Sequence, residues 1–332
     1  MTEEILSISS NQDNTCFALG TSDGFSVYGI EHMRLKERFK RTFSGGLKIV
    51  ELLYKTNLLL LVGGGSNPAF PPTKLIIWDD YQNKAISELD HDSEIISAKF
   101  RKDIIIVVLA NKVLVYDFKN LNHKEVFKTC PNPKGIIAVS YLETKIVAFP
   151  SVEEGKVVIA DLEKETSTTI EVHKHEISLM ALSLDGTLLA TTSSEGTLIR
   201  VWRIETGDKV KEFRRGKSVA TIYSLSFSCD SKFIVINSNR GTIHIFALTN
   251  DSEAQNRMSW VSNIIPGFGG VYSCCSSPVT PEIYTHVFFS QDDIKDKYNI
   301  IGITLEGVVM RFHLEKKGGK TDIVSEECTS VF

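Results

Sequence analysis

Two stretches of this chain read as copies of one another: ISLMALSLDGTLLATTSSEGTLIRVW, residues Ile177–Trp202, and IYSLSFSCDSKFIVINSNRGTIHIF, residues Ile222–Phe246. Ser183-x-Asp185, Ser193 and Gly196-Thr197 in the first recur as Ser228-x-Asp230, Ser238 and Gly241-Thr242 in the second, always 45 positions on. A period of about 40–45 residues marks a four-stranded propeller blade. Between the copies lies KVKEFRRGK, Lys209–Lys217, centred on Phe213-Arg214-Arg215-Gly216.

The same pattern extends in both directions. Short β-rich runs such as Phe25–Tyr28, Leu75–Trp78, Ile104–Leu109, Val113–Tyr116, Val157–Ala160 and Val308–Phe312 recur along the chain. Many follow a turn ending in glycine: Asp23-Gly24, Glu154-Gly155, Glu195-Gly196, Arg240-Gly241, Glu306-Gly307. Glycine supplies the positive φ that tight hairpin turns need. Long helical periodicity is absent, so the expectation is an all-β repeat protein. Dividing 332 residues by seven leaves roughly 47 per unit, near the blade period once loops are allowed for. Seven blades are expected, at approximately 1–44, 45–91, 92–130, 131–173, 174–215, 216–278 and 279–325, in one propeller over residues 1–332. The last unit must meet the first, because an open edge would invite aggregation.

One insertion, Thr249–Gly270, separates the strand Thr242–Leu248 from an expected outer strand at Val271–Ser276. Its second half carries Met258, Trp260, Val261, Ile264, Ile265 and Phe268. Positions 258, 261, 265 and 268 recur at helical spacing. Such a stripe either packs on its own blade or dips into a lipid interface.

The chain has 332 residues, 42% hydrophobic and 23% charged, with a formal net charge of −4. That balance gives no global pull toward nucleic acid or an anionic membrane, so any anion binding must be local. The six cysteines show no C-x-x-C spacing, and scattered thiols fit a reducing compartment. The acidic Met1-Thr-Glu-Glu start is not a signal peptide, and the longest apolar runs are too short to span a bilayer. A cytoplasmic protein that touches membranes only at their surface is expected. Gly216-Lys217-Ser218 resembles the end of a phosphate-cradling loop, but position 211 is Lys where that motif needs Gly. No nucleophile with its base, metal-ligand spacing or cofactor fingerprint appears, so no enzyme and no cofactor is expected. His173 and His175 suggest no third metal ligand. RNA-binding aromatics are also missing.

The adjacent arginines are the remaining candidate. Consecutive side chains of an extended strand point to opposite sides. Arg214 therefore faces one neighbouring repeat and Arg215 the other, and each guanidinium is a fork suited to phosphate oxygens. Two anion sites at one strand end are implied. The plainer alternative is a solvated pair that discourages edge-to-edge aggregation.

Phe213–Gly216 set between repeats that carry Ser193–Arg200 and Ser238–His244 resembles the PROPPIN family, the WIPI-like seven-bladed propellers. Asn11-Gln-Asp13, Leu61–Gly65 with Lys74–Asp80, Asn132–Gly135 and Ala148–Pro150 resemble family landmarks in family order, so the likeness spans nearly the whole chain. The resemblance implies a monomeric, non-enzymatic reader of phosphatidylinositol 3-phosphate and phosphatidylinositol 3,5-bisphosphate on autophagic, endosomal or vacuolar membranes. It implies a first head-group site of His173, Ser193, Thr197, Arg200 and Arg214, and a second of Arg215, Ser238, Arg240, Thr242 and His244. Thr249–Gly270 becomes a membrane-anchoring loop. Asn11 and Asp13 become part of a docking surface for an autophagy lipid-transfer protein. The rival is a propeller scaffold that binds proteins alone. Asn237-Ser238, Arg240 and His175 depart from the family pattern, which bears on the affinity and preference of the second site.

Overall fold

A computed structural model describes residues 3–248, 273–291, 298–317, 320–325 and 328–331. They form seven antiparallel sheets, each built from one continuous segment of chain with four strands in sequence order, the seventh carrying one short extra strand off that path. The sheets' strands lie within 5–42, 47–90, 97–128, 138–171, 177–214, 222–278 and 285–325, called blades 1 to 7 here. First strands surround a central channel with a cavity of about 740 Å³, lined by Ser97, Met180 and Ser224 among others.

Blade position explains the sequence pattern. Second and third strands are sandwiched between neighbouring blades, so both of their faces are buried. Ile104–Val108 is accordingly an uninterrupted apolar run, buried throughout. Ile106, Val108, Val113 and Val115 of blade 3 pack on Val147, Phe149 and Ala160 of blade 4. Outer strands have one wet side. Lys84–Asp90 and Thr166–Glu171 are mostly exposed and polar.

The repeated Ser-x-Asp is a clip on the turn between first and second strands. Ser183 Oγ donates to Asp185 Oδ1 at 2.6 Å and accepts from the amide of Leu188 at 2.9 Å. Ser228 does the same with Asp230 and Phe233, at 2.8 and 2.9 Å. Asn11-Gln-Asp13 is the equivalent turn of blade 1. Asn11 Oδ1 accepts from Cys16 N at 3.0 Å, and Asp13 Oδ1 accepts from Thr15 N at 3.2 Å.

The middle residue of that turn, Gln12, ties three blades together. Its amide nitrogen donates to the carbonyls of Leu52 and Phe100 at 2.5 and 2.7 Å. Its Oε1 accepts from Tyr54 N at 2.6 Å. Arg101, 1% exposed, continues the belt from blade 3 to blade 4 by donating to the carbonyls of Ser140 and Thr144, both at 2.6 Å.

Among the described residues, ring closure exchanges no strand. Phe17, Leu19, Tyr28 and Ile30 of blade 1 interlock with Phe288, Ile301, Ile303 and Val309 of blade 7. Thr329-Ser330 adds a short fifth strand against Val308-Val309, and the Tyr28 hydroxyl reaches the Val331 carbonyl at 3.4 Å. The outer strand of blade 6 runs Cys275–Pro278, later than the sequence pattern places it, because its ladder with Thr242–Ile245 begins at Cys275.

Gln12→Ala strips partners from one amide and two carbonyls that lie out of water. A loss of about 2–4 kcal/mol of unfolding free energy is expected, read by urea denaturation. A change below ~0.5 kcal/mol, the scale of an ordinary surface substitution, would show that the belt carries no stability.

Candidate anion-binding rim

The outer strand of blade 5, Lys209–Arg214, pairs with the third strand, Leu198–Arg203. Phe213 lies opposite Ile199, Glu212 opposite Arg200, and Arg214 opposite Leu198. Phe213 has no exposed surface and packs with Ile199, Ile234 and Phe246 toward blade 6. Arg200, Glu212 and Arg214 are therefore set on the other face, toward blade 4. Arg215 follows the strand, its amide still bonded to the Thr197 carbonyl at 2.9 Å, and returns to the blade 6 side.

On the blade 4 side, Arg200 Nη1 donates to the Val172 carbonyl at 2.7 Å and lies 3.4 Å from His173 Nδ1. His173 Nε2 is 3.0 Å from the Thr191 hydroxyl, which also accepts from the Trp202 indole at 3.0 Å. With Nδ1 accepting from Arg200, the proton belongs on Nε2. Burial, then the charge of Arg200, lowers His173 to about 4, so the ring is neutral at physiological pH. Arg200 Nε donates to Glu212 at 2.8 Å, and Lys209 reaches the same carboxylate at 3.0 Å. Burial alone would raise Glu212, but these hydrogen bonds outweigh it and hold the group below its usual range. Ser193 is buried on the turn into Gly196, and Thr197 is half-buried.

On the blade 6 side, Arg215 is 9% exposed. Its Nε donates to the Gly196 carbonyl at 2.6 Å, and Nη2 donates to the Ser218 carbonyl. Among the described residues, these acceptors are main-chain carbonyls rather than carboxylates. Burial, then Arg240, lowers the Arg215 pKa from its ordinary value. Burial, then Arg215, lowers His244 to about 4. His244 Nδ1 lies 3.3 Å from the Ser273 hydroxyl. Arg240 is turned to the Val219 carbonyl, at 2.8 Å from Nη2. Ser238 is buried and its hydroxyl accepts from Arg240 N at 3.4 Å, while Thr242 is half-buried.

Gly196 supports this arrangement directly. Its φ is 60°, and a Cβ there would stand 2.0 Å from the Ala220 carbonyl. Only glycine lets the 215–220 segment close over the turn.

Glu212 was absent from the sequence-derived set, although its spacing two residues before Arg214 places it on the same strand face. His175 sits outside both clusters and meets Glu195 at 3.2 Å. Asn11 is 3% exposed and bound within its own turn, and the short Thr15 Oγ1–Asp13 bond of 2.5 Å engages Asp13 in the same way. The expected membrane-anchoring residues Met258, Trp260, Val261, Ile264, Ile265 and Phe268 lie outside the described residues. No helix among the described residues is long and apolar enough to cross a membrane.

The fold defines a seven-bladed β-propeller with a basic, histidine-containing rim at the blade 5–6 joint. The chain belongs to the PROPPIN family, whose model matches residues 5–271. It is 37% identical over 270 residues to autophagy-related protein 18e of Arabidopsis thaliana, covering 80% of this chain and 72% of that protein. It is 38% identical over 248 residues to SVP1-like protein 2 of Schizosaccharomyces pombe, covering 74% and 68%. In three dimensions it resembles Hsv2 of Kluyveromyces lactis, with a TM-score of 0.83 at 20% identity over 99% of this chain and 100% of that one. A KlAtg21 chain solved in complex with the coiled coil of AgAtg16 is similar at a TM-score of 0.80 and 21% identity, over 98% and 99%.

Both rim histidines sit at about 4, below the unfolded value of about 6.5. The folded state thus disfavours imidazolium. Stability present above about pH 6.5 is expected to drain away as pH falls toward 4. Thermal unfolding between pH 7 and 4.5 reads this, and His173→Gln, which keeps a donor toward Thr191, flattens the slope. An unaltered slope would mean that burial of this ring does not set the pH response.

Proposed function

We propose that this protein is a non-enzymatic reader of 3-phosphorylated phosphoinositides that brings autophagy machinery to membranes. The observation that carries the reading is the strand register, in which the buried Phe213 separates the Glu212 face from its own and alternation sets Arg214 and Arg215 toward opposite sides of one blade. On each side a guanidinium has an imidazole in the same cluster: His173 with Arg200, and His244 within the field of Arg215. Five of the nine residues from Lys209 to Lys217 are basic in a chain of net charge −4. The potential is thereby concentrated where two monoester phosphates would sit.

His173, Ser193, Thr197, Arg200 and Arg214 form the first head-group site in this reading. Arg215, Ser238, Arg240, Thr242 and His244 form the second. Glu212 holds Arg200 in place through its 2.8 Å bond and sets an upper limit on negative charge tolerated beside it. Each site alone is shallow and weak. Two on one rim make the second contact intramolecular, raising avidity by ~10²–10⁴-fold. The segment 249–270 adds apolar anchoring, with Arg257 its one basic residue. Its relatives' names, autophagy-related protein 18e among them, support the pathway. The KlAtg21 chain, solved in complex with the coiled coil of AgAtg16, supports a protein-recruiting role beside lipid binding. In this reading a lipid-transfer protein docks on the early blades around the Asn11–Asp13 turn, on the cytoplasmic side of such membranes.

Flotation with vesicles containing phosphatidylinositol 3-phosphate or the 3,5-bisphosphate tests the reading. Arg214→Ala and Arg215→Ala are each expected to weaken binding roughly tenfold or more, and the double variant to abolish it. Undiminished flotation of the double variant would leave a protein-only scaffold.

Trp260→Asp combined with Phe268→Asp is expected to weaken vesicle binding while soluble inositol phosphate still binds, as calorimetry would register. Equal loss of both would make the segment a structural part of blade 6.

A further inference from the structure

At the start of the outer strand of blade 6 stand two adjacent cysteines, Cys274 and Cys275, with sulfur atoms 3.8 Å apart. Neighbouring residues of a regular strand would point their thiols to opposite faces. Here the strand begins only at Cys275, and Cys274 occupies the bend before it. Both side chains therefore join the same apolar cluster, beside Phe233 and Ile245. The Cys274 amide bonds the Ile245 carbonyl at 2.8 Å, and its Sγ lies 3.2 Å from the same oxygen. The residue on the other side, Ser273, holds His244 of the second rim cluster at 3.3 Å.

The other thiols differ. Cys16 is buried and accepts from Arg38 at 3.5 Å. Cys130 is pushed up by burial and by Glu176. Cys229 and Cys328 are exposed, with no second cysteine beside them in sequence. Cys274 is held below the ordinary thiol range, because the hydrogen bond from Cys275 outweighs its burial. A thiol with more thiolate character reacts faster with peroxide.

We propose that Cys274 and Cys275 form a peroxide-sensitive pair that closes into a disulfide between adjacent residues and thereby disorganises the second rim cluster. The Cys274 thiolate attacks hydrogen peroxide, takes up one oxygen as sulfenic acid, and hydroxide leaves to become water on protonation. The Cys275 sulfur then displaces water from the sulfenic acid, forming the S–S bond. Two thiols and one peroxide become one disulfide and two waters, and a dithiol reductant reverses the change. Consecutive Cα atoms across a trans peptide are about 3.8 Å apart. Ordinary disulfides hold them about 4.4–6.8 Å apart. Closing the small ring therefore bends the backbone at these residues. That bend is incompatible with the extended pairing of Cys275 against Ile245, and with the Cys274 amide bond to the same residue. Ser273 moves with it and leaves His244. The effect on lipid binding rests on the function proposed above; bond formation and strand release do not.

The test is peroxide treatment of the full chain, followed by three measurements. Peptide mass after alkylation reads whether one peptide containing both cysteines has lost two hydrogens. Amide hydrogen exchange reads the ladder between residues 242–247 and 275–278. Vesicle flotation reads the rim. The expected result is a reducible Cys274–Cys275 bond, faster exchange in that ladder, and binding weakened roughly tenfold, the loss of about one well-made hydrogen bond. Cys275→Ser, close to isosteric, is expected to keep its exchange pattern and its binding after peroxide. Oxidation confined to Cys229 or Cys328, or a bond that leaves exchange unchanged, overturns the proposal. Failure of the untreated protein to bind vesicles would instead strike the lipid reading, with mass and exchange still deciding the fate of the thiol pair.

Discussion

Phe213 is fully buried, its ring centroid 5.0 Å from that of Phe246. A large aromatic ring in that position is worth several kcal/mol of burial. It cannot be turned outward without opening the joint between blades 5 and 6. Strand alternation then leaves no choice for its neighbours. Glu212 and Arg214 take the opposite face, and Arg215 comes back to the side of Phe213. The separation of the two guanidinium groups is thus enforced by packing rather than by their own interactions. Sliding the strand by one residue would bury a charge and expose the ring, so the register is strongly held.

The two arginine environments are not mirror images. Arg200, on the first side, is balanced by Glu212, which Lys209 shares. Arg215, on the second, is held by carbonyl oxygens with Arg240 nearby. Carbonyl dipoles orient a guanidinium without cancelling its charge. Among the described contacts, the buried cation of the second side therefore meets no carboxylate, while Arg200 on the first is paired with one. Both imidazoles are kept neutral by the same two causes, burial and an adjacent arginine. A neutral imidazole offers a donor without adding a further desolvated charge.

Much of this was readable from residues alone. The 45-residue echo between blades 5 and 6 exposes the blade unit, and the strand that alternation predicts around Phe213 is present, with Phe213 opposite Ile199. The reading stopped where geometry depends on distant chain. Asn11-Gln-Asp13 stands out in the sequence as a landmark, but Asn in place of Ser hides that it is the blade 1 form of the Ser-x-Asp clip. Gln12 looks like any polar turn residue until Leu52 and Phe100 are brought beside it. Ring closure was equally invisible. It rests on shape complementarity between segments nearly the whole chain apart, and no local motif encodes that. The outer strands were the hardest to place, since one wet face dilutes their apolar signal.

Six of the seven joints between blades are crossed by continuous polypeptide. The seventh, between blades 1 and 7, has side-chain interlocking and the Tyr28–Val331 contact in its place. The toroid is in that sense a split washer. Mechanical or thermal stress can widen it there without stretching any peptide linkage, and every other gap must drag a tether. A first rupture at that seam would open the ring with its blades still strung together, two joints around the circle from its basic rim.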